Sequence, residues 1–362
     1  MEASAADLQS EEILTRLEVA AARQASYAWG IGFFVFDAIA YACGIHLALT
    51  AESTGLSVLG SLIAGFSTSG LLIVAHDACH QSLTPDRRLN RVLGTIAFLP
   101  ALHTYSLWRH GHNFLHHLHT NIRGLDYVWE PLSPSEYSAL PAMSKLRYRF
   151  FRSLPGHYFY YMFEICWKRR FIPRKKYLST VKKVFWTDFT FVVLWICASS
   201  YVLILLYSHS QNIAIDTVSM WPVAIFKGIL LPCCISQMLM SNTEYLHHTH
   251  PAVRWFRDPT EESFDDHQAR VSIHVQYPQP IDWFVHWIMD HTAYHMQPTI
   301  PLYRLNATQA KIDSRSENTV QYHFKFSKLL KITRQCKLFD DETGNWTDFK
   351  GQPTGVTSEL GD

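Results

Sequence analysis

The chain has 362 residues, of which 48% are hydrophobic and only 17% are charged, and its formal net charge is +1. A soluble domain is typically about 25% charged, so this composition indicates extensive buried or lipid-facing surface, and the near-zero charge argues against a nucleic-acid partner. The seven cysteines form no CxxC pair, which favours small buried hydrophobic residues over disulfides or a zinc ribbon. The informative excess is the twenty histidines, because imidazole is the commonest metal-binding side chain.

Hydrophobic patterning divides the chain into an N-terminal segment, a membrane domain and a tail. The N-terminal amphipathic or cytoplasmic segment covers residues 1–26. Apolar residues recur at helical spacing over 5–25, which predicts an amphipathic helix on the membrane or cap, or a solvent-exposed helix. Four apolar segments with the roughly 20 residues that cross a bilayer core follow: 27–50, 55–75, 186–207 and 216–240. Residues 92–107 are also apolar, but Pro100 interrupts them, which predicts a re-entrant or interfacial segment. We therefore predict a membrane domain over 27–305 and a cytoplasmic tail over 306–362.

The loops between the spans differ in positive charge. The short turns after the first and third spans contain no Lys or Arg, whereas the long segment between the second and third spans is rich in both. Positively charged loops stay on the cytoplasmic side of a membrane. We therefore predict that both termini, the long middle segment and the histidine clusters all lie in the cytoplasm.

The first histidine cluster, HDACH, directly follows the second span. His76 and His80 are four residues apart and share one face of a helix, close enough to bind the same ion. Asp77 is placed to orient a ligand imidazole by accepting its second N–H group. A polar cap on an apolar helix would explain this pair alone, so the metal hypothesis depends on the later clusters.

Three later clusters strengthen the metal hypothesis. The second contains an HxxxHH pattern, in which His112 and His116 share a helical face and His117 is offset by about 100°, a pattern that suits two bridged metal ions. The third is YLHHTHP, after the last span, and the fourth is HTAYH, with His291 and His295 again four residues apart. So many imidazoles exceed the needs of one zinc ion, and all-nitrogen ligation favours iron, copper or zinc. The chain contains no HExxH motif, which argues against a zinc protease.

At these clusters the sequence resembles the membrane fatty acid desaturase family, and most of all its acyl-lipid omega-6/omega-3 branch. The match consists of HDACH, of HNFLHH preceded by WR, of YLHHTHP, and of HTAYH followed by an IPLY segment, and it covers about residues 70–125 and 240–305. The resemblance implies an all-α integral membrane protein with about four transmembrane helices and a cytoplasmic helical cap that holds two iron ions (Fe²⁺/Fe³⁺). It implies an enzyme that uses O2 and two electrons to introduce a double bond into a fatty acyl chain of a membrane lipid or acyl thioester.

Carried over residue by residue, the resemblance implies these metal ligands: His76, His80, His112, His116, His117, His248, His291 and His295. We assign catalytic roles to polar residues within or beside the boxes: Asp77, Asn113 and Asp290. His247 and His250 are rivals of His248. The chain departs from the family's third box, HxxHH, because Tyr294 stands where the first of the paired histidines is expected. Either His247, His250 or His286 takes that ligand position, or one metal has fewer ligands.

The sequence contains no haem, dinucleotide-binding or ferredoxin-type motif. We therefore expect an external electron donor, ferredoxin or cytochrome b5, beside the lipid bilayer and a fatty acyl lipid, acyl-CoA or acyl-carrier substrate. Two alternatives stay open: a related membrane hydroxylase or ketolase of a lipid or carotenoid, and a histidine-rich metal transporter. Transport needs ionisable residues at mid-membrane depth on several spans, whereas the spans carry only Asp37 and Lys227 there, which disfavours it.

Overall fold

The computed structural model describes residues 13–171, 175–257, 268, 271–316 and 319–354. These residues are mostly helical, as the sequence predicts, and the strands among them are short. Helices in this part of the chain that are long and apolar enough to cross a membrane are Tyr27–Thr50, Thr54–His80, Val181–Gln211 and Val218–His248. The prediction of four candidate membrane helices is therefore confirmed.

The elements are short outside the candidate membrane helices. The α-helices are, in chain order, α1 (Arg16–Ala22), α2 (Tyr27–Thr50), α3 (Thr54–His80), α4 (Arg87–Phe98), α5 (Tyr105–Arg109), α6 (Pro134–Ala139), α7 (Ala142–Phe151), α8 (His157–Tyr160), α9 (Lys175–Gln211), α10 (Trp221–Ile225), α11 (Leu231–His248), α12 (Gln279–Phe284), α13 (His291–Met296), α14 (Leu302–Arg315) and α15 (Phe326–Gln335). Segments of π-helix occupy His110–His116, Tyr161–Phe171 and Phe226–Leu230, and a 3-10 turn occupies Val218–Met220. The strands are β1 (Ile273–Gln276), β2 (Val320–His323), β3 (Leu338–Asp340) and β4 (Asn345–Thr347). Strand β1 pairs with β2 in parallel, and β3 pairs with β4 in antiparallel orientation.

The chain divides into two compact units. The first, which we call the membrane unit, comprises Ala25–His110 and Tyr161–Met240. The second, which we call the histidine unit, comprises Met1–Gln24, Gly111–Tyr160 and Ser241–Asp362. The division at residues 26 and 305 stays a prediction.

Within the membrane unit, α2 and α3 pack closely because small residues face each other. A Cβ atom on Gly44 would lie 2.6 Å from the backbone nitrogen of Ala64, and a Cβ atom on Gly60 would lie 2.4 Å from that of Ala48. In each helix, three residues therefore separate two small ones: Gly44 and Ala48 in α2, and Gly60 and Ala64 in α3. This spacing lets helix backbones approach each other closely in membranes. Helix α3 is also the most enclosed of the candidate spans in the described chain, with 72% of its apolar window buried.

The apolar stretch around Pro100 is interrupted, as predicted. Helix α4 ends at Phe98 and α5 begins at Tyr105, so Pro100 lies in the connecting turn. The buried carboxylate of Asp188 on α9 holds this region in place. It accepts a hydrogen bond from the backbone N–H of Ser106 at 2.7 Å and one from the Arg91 guanidinium at 2.5 Å.

The described part of the predicted N-terminal amphipathic helix contains helix α1, Arg16–Ala22. Helix α1 is capped by Thr15, whose hydroxyl accepts from the Glu18 N–H, and residues 1–12 lie outside the described part of the chain. The Glu18 carboxylate pairs with Arg315 at 2.7 Å and with Lys311 at 3.2 Å. Because both partners belong to α14, α1 packs against the C-terminal part of the histidine unit.

Candidate metal centre

The first histidine box closes α3 in the membrane unit. The helix ends at His80, and Gln81 follows in a left-handed conformation with φ 63°. The rings of His76 and His80 are tilted neighbours with centroids 5.0 Å apart, as their spacing predicts. Nδ1 of His76 lies 3.3 Å from a carboxylate oxygen of Asp77, the contact expected if Asp77 orients this imidazole. All three side chains are buried.

The second box lies on a π-helical segment, which changes the predicted ring arrangement. The His117 N–H donates to the carbonyl of His112 at 3.0 Å, five residues back. This wider turn brings the Nε2 atoms of His112 and His117 to 3.1 Å from each other. The ordinary α-helical spacing assumed for the sequence placed His117 away from His112, and that expectation is wrong. Single π-turns inside helices occur frequently at functional sites.

Four buried histidines of the histidine unit converge on one point. They are His116, His248, His291 and His295, and one ring nitrogen of each lies within 4.8 Å of the others. We call this set the four-histidine group. His116 lies at the end of the π-helical segment, His248 at the end of α11, and the other two histidines on α13. The Nε2 atoms of His248 and His291 are 3.2 Å apart.

Polar partners hold three of these rings in place through their other nitrogen. Nδ1 of His116 lies 3.0 Å from Asp126, Nδ1 of His248 lies 3.3 Å from the carbonyl oxygen of Val271, and Nδ1 of His295 lies 3.2 Å from the amide oxygen of Gln268. Such outer contacts fix the tautomer and orientation of metal-ligating imidazoles. Nε2 of His295 is buried and has no hydrogen-bond partner among the described residues. The donor set therefore fits a metal ion.

Asp126 is a site residue that the sequence analysis missed. It is ten residues beyond His116, outside the three- and four-residue spacings by which helical neighbours are recognised. Its carboxylate also accepts from the backbone N–H groups of Asn121 and Val128, each at 2.9 Å. A loop that folds back on the second box thus delivers the carboxylate, and no local pattern marks it.

The electrostatics of the four-histidine group suit metal binding. Burial lowers the pKa of His291 well below its usual value, and the neighbouring imidazoles lower it further. Burial and the neighbouring imidazoles, His291 foremost, have the same effect on the pKa of His295. Both side chains are therefore neutral at physiological pH. A neutral imidazole has the free lone pair that ligation requires.

The third box places Tyr294 beside the second box. The Tyr294 hydroxyl lies 2.8 Å from Nε2 of His112 and 2.8 Å from Nε2 of His117. Its side chain is fully buried. The expected third-box ligand is thus replaced by a phenol oxygen that reaches two predicted ligands.

The three histidines considered for the ligand position left by Tyr294 make other contacts. The ring of His247 stacks on that of His291, with centroids 3.7 Å apart. Nδ1 of His250 accepts from the N–H of Ala252 at 3.1 Å. Nδ1 of His286 lies 3.3 Å from the carbonyl oxygen of Trp283. Of the residues around the last span, it is His248 that belongs to the four-histidine group.

Asp290 is part of a buried charge cluster at the start of α13. Nε2 of His274 lies 2.9 Å from Asp290, and its Nδ1 lies 2.7 Å from Asp313. Burial alone would lower the pKa of His274, but the two carboxylates outweigh it and raise the pKa to about 9. Asp290 directly precedes His291, so these contacts hold the start of α13, and with it His291 of the four-histidine group, in place.

Asn113 is half-buried on the π-helical segment, and its catalytic role stays a prediction.

Comparisons with known proteins identify the family. Residues 53–326 match the family model described as fatty acid desaturase. The chain is 26% identical to an sn-1 oleoyl-lipid 12-desaturase of Synechocystis sp. over 94% of this chain and 91% of that protein, and 28% identical to an enzyme of the same name from Picosynechococcus sp. over 77% and 76%. It is 26% identical to a chloroplastic omega-6 fatty acid desaturase of Arabidopsis thaliana over 77% of this chain and 58% of that protein. Since the family model matches well over half of the chain, this protein belongs to the fatty acid desaturase family, as its histidine boxes predict.

Proposed function

We propose that this desaturase is an oxygen-dependent di-iron oxidoreductase that introduces a double bond into a fatty acyl chain of a membrane lipid or acyl thioester. The observation that carries the proposal is the four-histidine group, whose donor nitrogens lie within 4.8 Å of one another. Its ligands are neutral nitrogen donors, a set that suits iron. The relatives with known names act on oleoyl lipids or are omega-6 fatty acid desaturases, which supports an acyl substrate.

The chain's own residues would hold the two irons and keep them dry. The proposed ligands are His76, His80, His112, His116, His117, His248, His291 and His295. Two bound irons would supply the oxidising chemistry that removes hydrogens from an unactivated acyl chain. Asp77 and Asp126 would orient ligand imidazoles, and Asp290 would anchor α13 through His274. The burial of these histidines excludes bulk water, which protects reactive species from side reactions.

The surroundings of the enzyme follow from charge and motif content. The positive middle segment supports cytoplasmic termini and a cytoplasmic metal centre, with residues 27–305 as the membrane domain. The absence of haem, dinucleotide and ferredoxin-type motifs from the sequence supports an external electron donor such as ferredoxin or cytochrome b5. The acyl carrier would be a glycerolipid, CoA or a carrier protein.

The test is the lipid profile of a host that expresses the chain, compared with the His116→Ala variant. His119→Ala is the matched control, because His119 lies on the same stretch but outside the four-histidine group. We expect a new double bond with the wild type and with His119→Ala, and none with His116→Ala. A new hydroxyl or keto group instead would identify the hydroxylase or ketolase alternative. Desaturation that persists in His116→Ala would contradict the assigned metal centre.

A further inference from the structure

The departure of the third box from HxxHH creates a compact cluster of three donor atoms in the histidine unit. The Tyr294 oxygen is 2.8 Å from each of two imidazole Nε2 atoms, those of His112 and His117. The two nitrogens are 3.1 Å apart. We call these residues the tyrosine triad. Each of its three donor atoms therefore lies within 3.1 Å of the other two.

We propose that Tyr294 is a metal ligand, bound as a phenolate together with His112 and His117. This inference rests on the proposed di-iron function, and it assigns to Tyr294 the ligand position left by the missing histidine. The second iron would then have one anionic oxygen ligand, whereas the four-histidine group offers only imidazole nitrogens.

The spacing of the triad is the spacing of ligands around one ion. Nitrogen and oxygen ligands bind divalent metals at about 2.0–2.1 Å. Two such ligands at a right angle are about 2.9 Å apart. The measured separations of 2.8, 2.8 and 3.1 Å agree with this value. The three donor atoms are therefore already placed as adjacent ligands of a single ion.

Helix α13 explains how one short element serves both clusters. Tyr294 lies three residues and His295 four residues after His291, so each lies on the same side of the helix as His291. The two histidines join the four-histidine group, and the tyrosine between them reaches the second box. The Tyr294 ring is fully buried and nearly parallel to that of His112, at an interplanar angle of 18°. The packing therefore holds the hydroxyl in this position.

A phenol also has suitable chemistry once an ion is present. The pKa of free tyrosine is about 10, but a bound cation is the largest local charge and favours the deprotonated form of its ligands. The O–H bond breaks, the oxygen binds the metal, and the proton leaves to solvent, as for other protic ligands. Tyrosine oxygen ligates iron in some haem enzymes. An anionic ligand stabilises Fe³⁺ over Fe²⁺.

The competing arrangement keeps Tyr294 as a neutral phenol. The phenol would then donate its one proton to a single imidazole, and the second metal would lose one protein ligand relative to the family pattern. The two arrangements differ in colour. A phenolate bound to Fe³⁺ gives a visible charge-transfer absorption, and imidazole ligands alone do not.

The experiment uses the purified full chain, loaded with ferrous iron without oxygen and then oxidised. Visible spectra and iron content are measured for the wild type, Tyr294→Phe and Tyr294→His. Tyr322→Phe is the control, because Tyr322 is also buried and stacks on a histidine, His250, outside the proposed ligand set. We expect the absorption band in the wild type and in Tyr322→Phe, and its loss in both Tyr294 variants. We expect Tyr294→His to retain two irons per chain.

A second measurement is independent of colour and of the folding of Tyr294→Phe. Because the anionic ligand favours Fe³⁺, the reduction potential of the wild type should be lower than that of Tyr294→His. Two irons per wild-type chain without the band, or a band that survives in Tyr294→His, overturns this inference and leaves the di-iron proposal standing. A wild-type chain that binds no iron overturns both.

Discussion

Nδ1 of His116 lies 3.0 Å from a carboxylate oxygen of Asp126, and both side chains are buried. The contact holds the ring of His116, one nitrogen of which lies within 4.8 Å of ring nitrogens of His248, His291 and His295. A carboxylate in this position fixes the tautomer of a ligand imidazole and increases its basicity. The candidate metal centre therefore includes a contact with a residue outside all four histidine boxes.

Replacement of that carboxylate tests its role. The change Asp126→Asn keeps the shape of the side chain but removes its charge, so the His116 imidazole becomes a weaker ligand. We expect iron affinity to fall about 10- to 100-fold, measured by competition with a chelator. Glu130→Gln is the control, because Glu130 is a half-buried carboxylate in the same loop that accepts from the Gly124 N–H. Equal iron affinity in the two variants would argue against a role for Asp126.

Bound iron should also stabilise the fold. A ligand that binds only the folded state adds about 2.7 kcal/mol per site to the free energy of unfolding when its free concentration is 100 times its dissociation constant. We expect iron to raise the unfolding midpoint of the wild type and to raise it less in His291→Ala, measured in detergent with and without a chelator. His250→Ala should respond to iron as the wild type does, since His250 bonds to Ala252 instead. The same iron response in His291→Ala would remove His291 from the ligand set.

The close approach of α2 and α3 predicts sensitivity to one added methyl group. In Gly60→Ala the new Cβ atom would lie 2.4 Å from the backbone of Ala48, so the helices must move apart. We expect a loss of about 1–3 kcal/mol in the free energy of unfolding, measured by denaturant titration in detergent. At Gly32, on the same α2, a Cβ atom meets nothing within 4 Å, so Gly32→Ala should not destabilise the protein. Equal stability of the two variants would contradict the close packing of α2 against α3.

The charge cluster at the start of α13 predicts a pH dependence of stability. Asp290 and Asp313 raise the pKa of His274 in the folded protein to about 9, above its value of about 6.5 in an unfolded chain. The protonated imidazole therefore stabilises the fold fully below pH about 6.5, and this stabilisation disappears as the pH rises through about 9.

We expect wild type to be more stable than His274→Gln at pH 6, with a difference that shrinks progressively up to pH 9.5, measured by unfolding at a series of pH values. The control is His323→Gln, because His323 is exposed on the neighbouring strand β2. A difference between wild type and His274→Gln that stays constant with pH would contradict the assigned charge of His274.

The amino-acid sequence by itself determines the membrane helices and most proposed ligands. A run of some 20 apolar residues must find a bilayer or a protein interior, so the four spans are readable without a structure. The pair His76 and His80 is equally readable, because neighbours on a helix are set by local geometry. The interruption at Pro100 follows from the missing N–H of proline.

Only the tertiary structure decides which donor atoms meet. The π-turn pairs His112 with His117, Asp126 folds back onto His116 from a loop, and the Tyr294 hydroxyl reaches His117 across 177 residues of chain. Periodicity in a sequence reports neighbours within one regular helix. These contacts depend on an irregular turn, a loop and the packing of α13 against the second box, which arise only when distant segments come together.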